Sequence, residues 1–146
     1  EILEAFDGRL DAFVLTAGTG GTVTGTGEEL KKQIPHLKIY VVEPYGSPVL
    51  SGGVPGPHKI PGTGPGFIPK ILNREIYDEI LLIKDEDAQK MARSLASSEG
   101  IFVGASGAAS AYFALETAKK LPPSARVLCL APDTGERYLS SDLFPS

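Results

Sequence analysis

Tryptophan is absent and cysteine occurs once, at Cys129, in a chain of 146 residues. One thiol cannot close a disulfide within the chain, so a reducing compartment is expected, with the cytoplasm as the location. No Cys/His spacing suggests a metal. Basic clusters are missing too: 14 Lys and Arg face 18 Asp and Glu, for a net charge of −4. The longest basic runs are the pairs Lys31-Lys32 and Lys119-Lys120, which leaves no electrostatic footprint for nucleic acid. No apolar run approaches the ~20 residues of a membrane span. The first residues, EILEAFDGRLD, are acidic, unlike a signal or transit peptide. Neither a membrane nor a nucleic-acid partner is expected.

What is present alternates between strand and helix signals. The runs 11–17 (DAFVLTA), 37–44 (LKIYVVEP), 78–83 (DEILLI) and 125–131 (ARVLCLA) read as strands, with 101–103 (IFV) as a very short one. A helix follows the first strand to about Gln33. Another starts near Asp85 with acidic residues in its first turn and ends at Gly100, a residue suited to the position after a helix. Ala88, Met91, Ala92, Leu95 and Ala96 recur on one stripe of it. A third runs through GASGAASAYFALETAKKL. The pattern predicts an α/β fold, an open and mainly parallel sheet with helices on both faces. Residues 45–70 are rich in glycine and proline and read as an ordered loop, with one helical turn near Ser47–Ser51. Loops that long in a compact domain are commonly functional.

TAGTGGTVTGTG, residues 16–27, follows the first strand directly and holds five glycines and five threonines. A glycine turn between a strand and a helix exposes unpaired amides at the helix N-terminus, and the helix dipole favours an anion there. Thr19 and Thr22 add hydroxyls, so a phosphate is the natural guest. A P-loop would need a lysine after glycine, and none is present. The dinucleotide fingerprint is nearly met by Gly18 and Gly20 but has Val23 in its last place. Glu43 could then serve as the ribose-binding acid of an NAD site. A plain turn needing positive φ is the remaining alternative.

Four motifs in order, AGTGGTVTG (17–25), VEPYGSPVLSGGVPGPHKIPGTGPGFIP (42–69), EGIFVGASGA (99–108) and PDTGERYLSSDLF (132–144), resemble the C-terminal half of the cysteine synthases. These belong to the fold-type II pyridoxal-phosphate family, which also includes cystathionine β-synthase. The resemblance implies that residues 1–146 form the C-terminal cofactor-binding domain, with the N-terminal half of the enzyme outside them. It implies pyridoxal 5′-phosphate as cofactor, its phosphate held by Gly18, Thr19, Gly20, Gly21 and Thr22. Ser106 matches the serine at the pyridine nitrogen. A neutral hydroxyl there leaves the ring largely unprotonated, which suits elimination and replacement at the β-carbon. Gly62, Thr63 and Gly64 fall in the substrate-side segment. Pro61, Pro65 and Gly107 stand where many cysteine synthases have Gln, Ala and a second serine, and bear on the substrate more than on the cofactor.

The same resemblance implies O-acetylserine and sulfide as substrates, a homodimer, and serine acetyltransferase as a candidate partner. It also requires a Schiff-base lysine in a Ser-x-Lys-Asp-Arg-like setting and a Thr-Ser-Gly-Asn carboxylate loop, and neither occurs here. No catalytic residue is therefore expected in this chain, which should be inert alone. His58, in a Pro/Gly loop, and His36, after Pro35, read as locally bonded or solvent-facing, and Cys129 as an inert core thiol. Asp133 and Glu136 follow a strand end and are expected to shape the pocket. Three alternatives remain: a cystathionine β-synthase or O-phosphoserine-dependent relative, a non-catalytic binding module, and an NAD-binding domain.

Overall fold

The structure, a computed structural model, describes residues 1–144. Along the chain run α1 (Ile2–Ala5), β1 (Ala12–Thr16), α2 (Gly21–Gln33), β2 (Lys38–Pro44), β3 (Glu79–Ile83), α3 (Asp85–Ser94), α4 (Ala105–Ala118) and β4 (Val127–Cys129). The four strands form one all-parallel sheet in the order β3-β2-β1-β4. Alternating side chains of a strand point to opposite faces, and each face here has its own core. Phe13 and Leu15 of β1 join Val23 and Leu30 of α2 in one core. Val14 and Val42 join Ala88, Ala92, Ala108 and Ala109 of α3 and α4 in the other. Helices therefore cover both faces, as the sequence implies, and Ala12–Leu15 of β1 are all apolar because neither face of the strand meets water there.

Parallel strands need a crossover, ordinarily a helix. Between β2 and β3 irregular chain performs it: Leu50 and Leu72 of segment 45–78 are buried in the α2-side core, with Ile76 and Tyr77 packed against them. The helical turn expected near Ser47–Ser51 is not formed. Those residues make successive tight turns, with Gly52 N–H donating to Val49 O at 3.1 Å and Gly53 N–H to Pro48 O at 2.9 Å. Ile101–Val103 is not a sheet strand either. Only Val103 pairs, in an isolated antiparallel bridge with Thr134, since Gly104 already caps α4.

Helix α3 begins at Asp85, as expected. Lys84 occupies the cap and Asp85 is the first helical residue, its carboxylate accepting Lys59 N–H at 2.9 Å. A π-turn, Leu95–Glu99, extends it to Gly100, whose φ of 69° confirms the expected left-handed stop. The four-residue helix α1 has no counterpart in the sequence reading.

Asp78 joins α2 to the sheet. Its carboxylate accepts from Lys31 Nζ at 2.7 Å, Ile39 N–H at 2.9 Å and Lys38 Nζ at 3.0 Å. Burial alone would raise its pKa, but those three donors outweigh it and hold it below the usual 3.8. A lowered folded-state pKa adds stability above the unfolded value, and that stability is lost as pH falls through the folded value. Asp78→Asn is thus expected to lower stability by about 1–2 kcal/mol at pH 7 and by less at pH 3. Urea unfolding at the two pH values checks this; an equal loss at both would remove the charge from the explanation.

Candidate active site

Strand order locates the site. The chain moves from β1 through β2 to β3 in one direction, then returns to place β4 on the other side of β1. At such a reversal the segments leaving two adjacent parallel strands diverge and open a crevice beyond their C-terminal ends. A cleft of about 250 Å3 lies there, lined by Thr16, Ala17, Gly18, Thr19, Gly20, Thr22 and Val23 after β1, Leu130 and Pro132 after β4, and Gly62 from the long loop.

The glycine turn has the geometry of an anion cup. Gly20 caps α2 with φ 87°, and among the described residues the amides of Thr22 and Val23 have no acceptor in the chain. Gly21 N–H reaches only the Thr19 hydroxyl, at 3.4 Å, and Thr24 N–H is the first of the helix to reach a backbone carbonyl, Gly20 O at 3.0 Å. Two of the glycines are required by close approach. A methyl on Gly18 would run into the carbonyl oxygen of Gly62, and one on Gly20 would stand 2.7 Å from Leu72 Cβ. Leu72 is held behind the cup because Thr24 Oγ1 donates to Ile71 O at 3.0 Å and accepts Asn73 N–H at 2.8 Å.

Residues 62–64 approach from the long loop, with Gly62 in the cleft wall. Gly64 N–H donates to Ala17 O at 3.2 Å, landing the loop on the residue after β1, and buried Thr63 donates to Ile60 O at 2.8 Å. Gly62 and Gly64 have φ of 79° and 53°, a region in which side-chain-bearing residues are strained. Of the expected site residues, Gly18, Thr19, Gly20, Thr22 and Gly62 line this cleft, and Gly21 opens α2 beside them. Ser106 is not in its wall. It is buried in the first turn of α4, and the next residue, Gly107, stands against Ala131, between the lining residues Leu130 and Pro132. Among the described residues the Ser106 hydroxyl has no hydrogen-bond partner, while its carbonyl accepts from Ser110 Oγ at 3.1 Å. A methyl at Gly107 would come within 3.1 Å of Ala131 Cα, so the position has little room for a second serine.

Glu43 is corrected from a ribose ligand to a structural anchor. It is 2% exposed. Its Oε1 accepts Leu50 N–H at 2.5 Å, and its Oε2 accepts Ser51 N–H at 3.2 Å and Ser51 Oγ at 2.9 Å. A carboxylate spent on its own loop cannot bind a diol, which removes the acid that an NAD site would use. Asp133 and Tyr138 shape the start of α4. Tyr138 OH donates to Asp133 Oδ2 at 2.5 Å, and that bond, with burial, pushes the phenol above its ordinary pKa. The other Asp133 oxygen crowds Gly104, where no side chain would fit. Cys129 is half-buried, and burial pushes its thiol up, away from the reactive thiolate. Among the described residues no lysine lines the cleft. Lys38, Lys59 and Lys119 are each raised in pKa by a carboxylate hydrogen bond, the opposite of what a nucleophilic amine needs.

Leu130, Pro132 and Leu72 are site residues that sequence reading did not single out. No local signal marks them, because they depend on β4 lying beside β1 and on a contact across the long loop.

The family described as pyridoxal-phosphate dependent enzyme matches residues 1–133. A probable cysteine synthase of Bacillus subtilis is 58% identical over 142 residues, covering 97% of this chain and 46% of that protein. The solved O-acetyl serine sulfhydrylase isoform 3 of Entamoeba histolytica superposes with a TM-score of 0.95 at 44% identity, over 98% of this chain and 43% of that one. The O-acetylserine dependent cystathionine beta-synthase of Helicobacter pylori does so with a TM-score of 0.92 at 40% identity, over 99% and 47%. The chain thus spans about half the length of the relatives it matches.

Proposed function

Because the chain belongs to the pyridoxal-phosphate dependent enzyme family, we propose that it is the phosphate-binding part of a cysteine synthase, which makes L-cysteine and acetate from O-acetylserine and sulfide. The observation that carries this reading is the glycine cup at the switch point of the sheet, open to a cleft whose far wall is Gly62. The cofactor, when bound, supplies the electron sink for replacement at the β-carbon. The chain's own residues hold and orient it. The amides of residues 18–23 and the hydroxyls of Thr19 and Thr22 take the phosphate, aided by the α2 dipole. The Ser106 hydroxyl is the neutral partner of the pyridine nitrogen, and Gly62, Thr63 and Gly64 form the substrate side. The Schiff-base lysine and the carboxylate loop then belong to residues outside 1–146. The same reading makes the protein a cytoplasmic homodimer with serine acetyltransferase as a candidate partner.

Borohydride reduction and peptide mapping of the polypeptide that carries these residues test the reading. The phosphopyridoxyl group is expected on a lysine outside residues 1–146; an adduct on any lysine within them would overturn it. Turnover of O-acetylserine should then depend on sulfide. The similarity to the Helicobacter pylori protein favours one second reading, cystathionine synthesis, which homocysteine in place of sulfide would reveal. Ser106→Asp, which would keep the ring nitrogen protonated, is expected to cut turnover on the order of ten- to a hundredfold.

A further inference from the structure

We propose that His58 is a positioning residue of this site: its neutral ring staples loop 58–64 shut and so sets where Gly62 stands against Gly18. Two bonds carry the inference. Ile60 N–H donates to His58 Nδ1 at 3.2 Å, and His58 Nε2 lies 3.2 Å from Gly64 O. An amide can only donate, so Nδ1 is unprotonated; the ring proton sits on Nε2 and is donated to the Gly64 carbonyl. One rigid ring thereby ties the start of the loop to its end.

The loop has little stiffness of its own, since Gly62 and Gly64 are both in the left-handed region. Its other anchors hold the flanks: Ile60 is buried in the second core, Thr63 bonds Ile60 O, and Gly64 N–H bonds Ala17 O. Among the described residues Gly62, whose carbonyl meets Gly18, makes no hydrogen bond of its own and is held through these neighbours. The ring is packed where it works. A methyl at Gly64 would come 3.2 Å from His58 Nε2 and 3.0 Å from the Pro44 ring, so His58, Gly64 and Pro44 form one block. The ring therefore determines how closely the loop approaches the glycine cup, and with it the width of the cleft. This role rests on the reading of residues 62–64 as the far wall of a phosphate site.

The chain has two histidines, so 15N-histidine labelling with His36→Gln for assignment reports His58 directly. A fixed neutral Nε2–H tautomer is expected; an averaged ring or an Nδ1–H tautomer would overturn the staple. In His58→Ala, amide exchange at Ile60 should quicken by about tenfold or more. His58→Asn, whose Oδ1 can replace Nδ1, should restore that protection while leaving the Gly64 carbonyl unpaired. Unchanged exchange in the alanine variant would refute the staple. If His58→Ala does not fold, His58→Asn and His58→Gln, each built to keep one of the two bonds, carry the same comparison. Positioning is read from amide shifts of residues 18–23 on titration with pyridoxal 5′-phosphate. Affinity should fall about tenfold without the ring and recover in part in the conservative variants. Binding by wild type that is unaltered in the variants would sink the positioning role. No binding by wild type would instead strike the phosphate-site reading, leaving the staple to be judged by tautomer and exchange.

Discussion

Gly18→Ala is expected to lower affinity for pyridoxal 5′-phosphate at least about tenfold while the chain stays folded. The added methyl would overlap the carbonyl oxygen of Gly62, and the groups on both sides of that contact are backbone. No flexible side chain can yield, so either the cup or loop 60–64 must shift. The loop resists, because Ile60 is buried and Gly64 N–H is bonded to Ala17 O. The strain should cost about 1–3 kcal/mol, enough to lower the melting temperature without abolishing folding. Gly25→Ala is the control. It lies on α2, the helix that follows the glycine turn, with nothing within 4 Å of the new methyl, and alanine there should add about 0.5–1 kcal/mol of stability. Calorimetric titration and thermal melts of the pair separate the two effects. A Gly18→Ala chain that binds the cofactor as tightly as wild type would remove the cup from the proposed site.

Glu43→Gln should produce the largest loss of stability short of a core truncation, about 2–4 kcal/mol. The carboxylate is buried and accepts three hydrogen bonds, from Leu50 N–H, Ser51 N–H and Ser51 Oγ. An amide keeps the shape but has one accepting oxygen, and its NH2 would face donors. At least one buried donor is then left unpaired in the turns that open the crossover between β2 and β3. Ser51→Ala removes only the hydroxyl bond and should cost about 1 kcal/mol. Urea unfolding of both variants gives the comparison; a Glu43→Gln midpoint equal to wild type would contradict the anchor role. Glu43 also shows how a local pattern misleads. An acid at the end of a second strand, after a glycine turn, fits a ribose ligand equally well until the loop that covers it is seen.

What the sequence determined by itself is what a short window can carry. Alternating and continuous apolar runs specify β1, β2 and β3, and the stripe of α3 through Ala88 and Ala92 specifies a face for close helix packing. Gly18–Gly21 after a buried strand specifies a tight turn that leaves amides free at a helix start, and Gly100 specifies a left-handed stop, because each requirement is met within a few residues. The tertiary structure alone decided where β4 goes. Its three residues pair with β1 rather than β3, and that order creates the crevice and brings Leu130 and Pro132 to the cup. It also decided that Ile101–Val103, strand-like in composition, forms only a bridge, since Gly104 starts α4 before a ladder can extend. The Gly18–Gly62 approach, the seating of Leu72 behind Gly20 and the burial of Glu43 under Ser51 belong to the same class. Each joins groups that local periodicity treats as independent, and only the packing of the whole chain places them in contact.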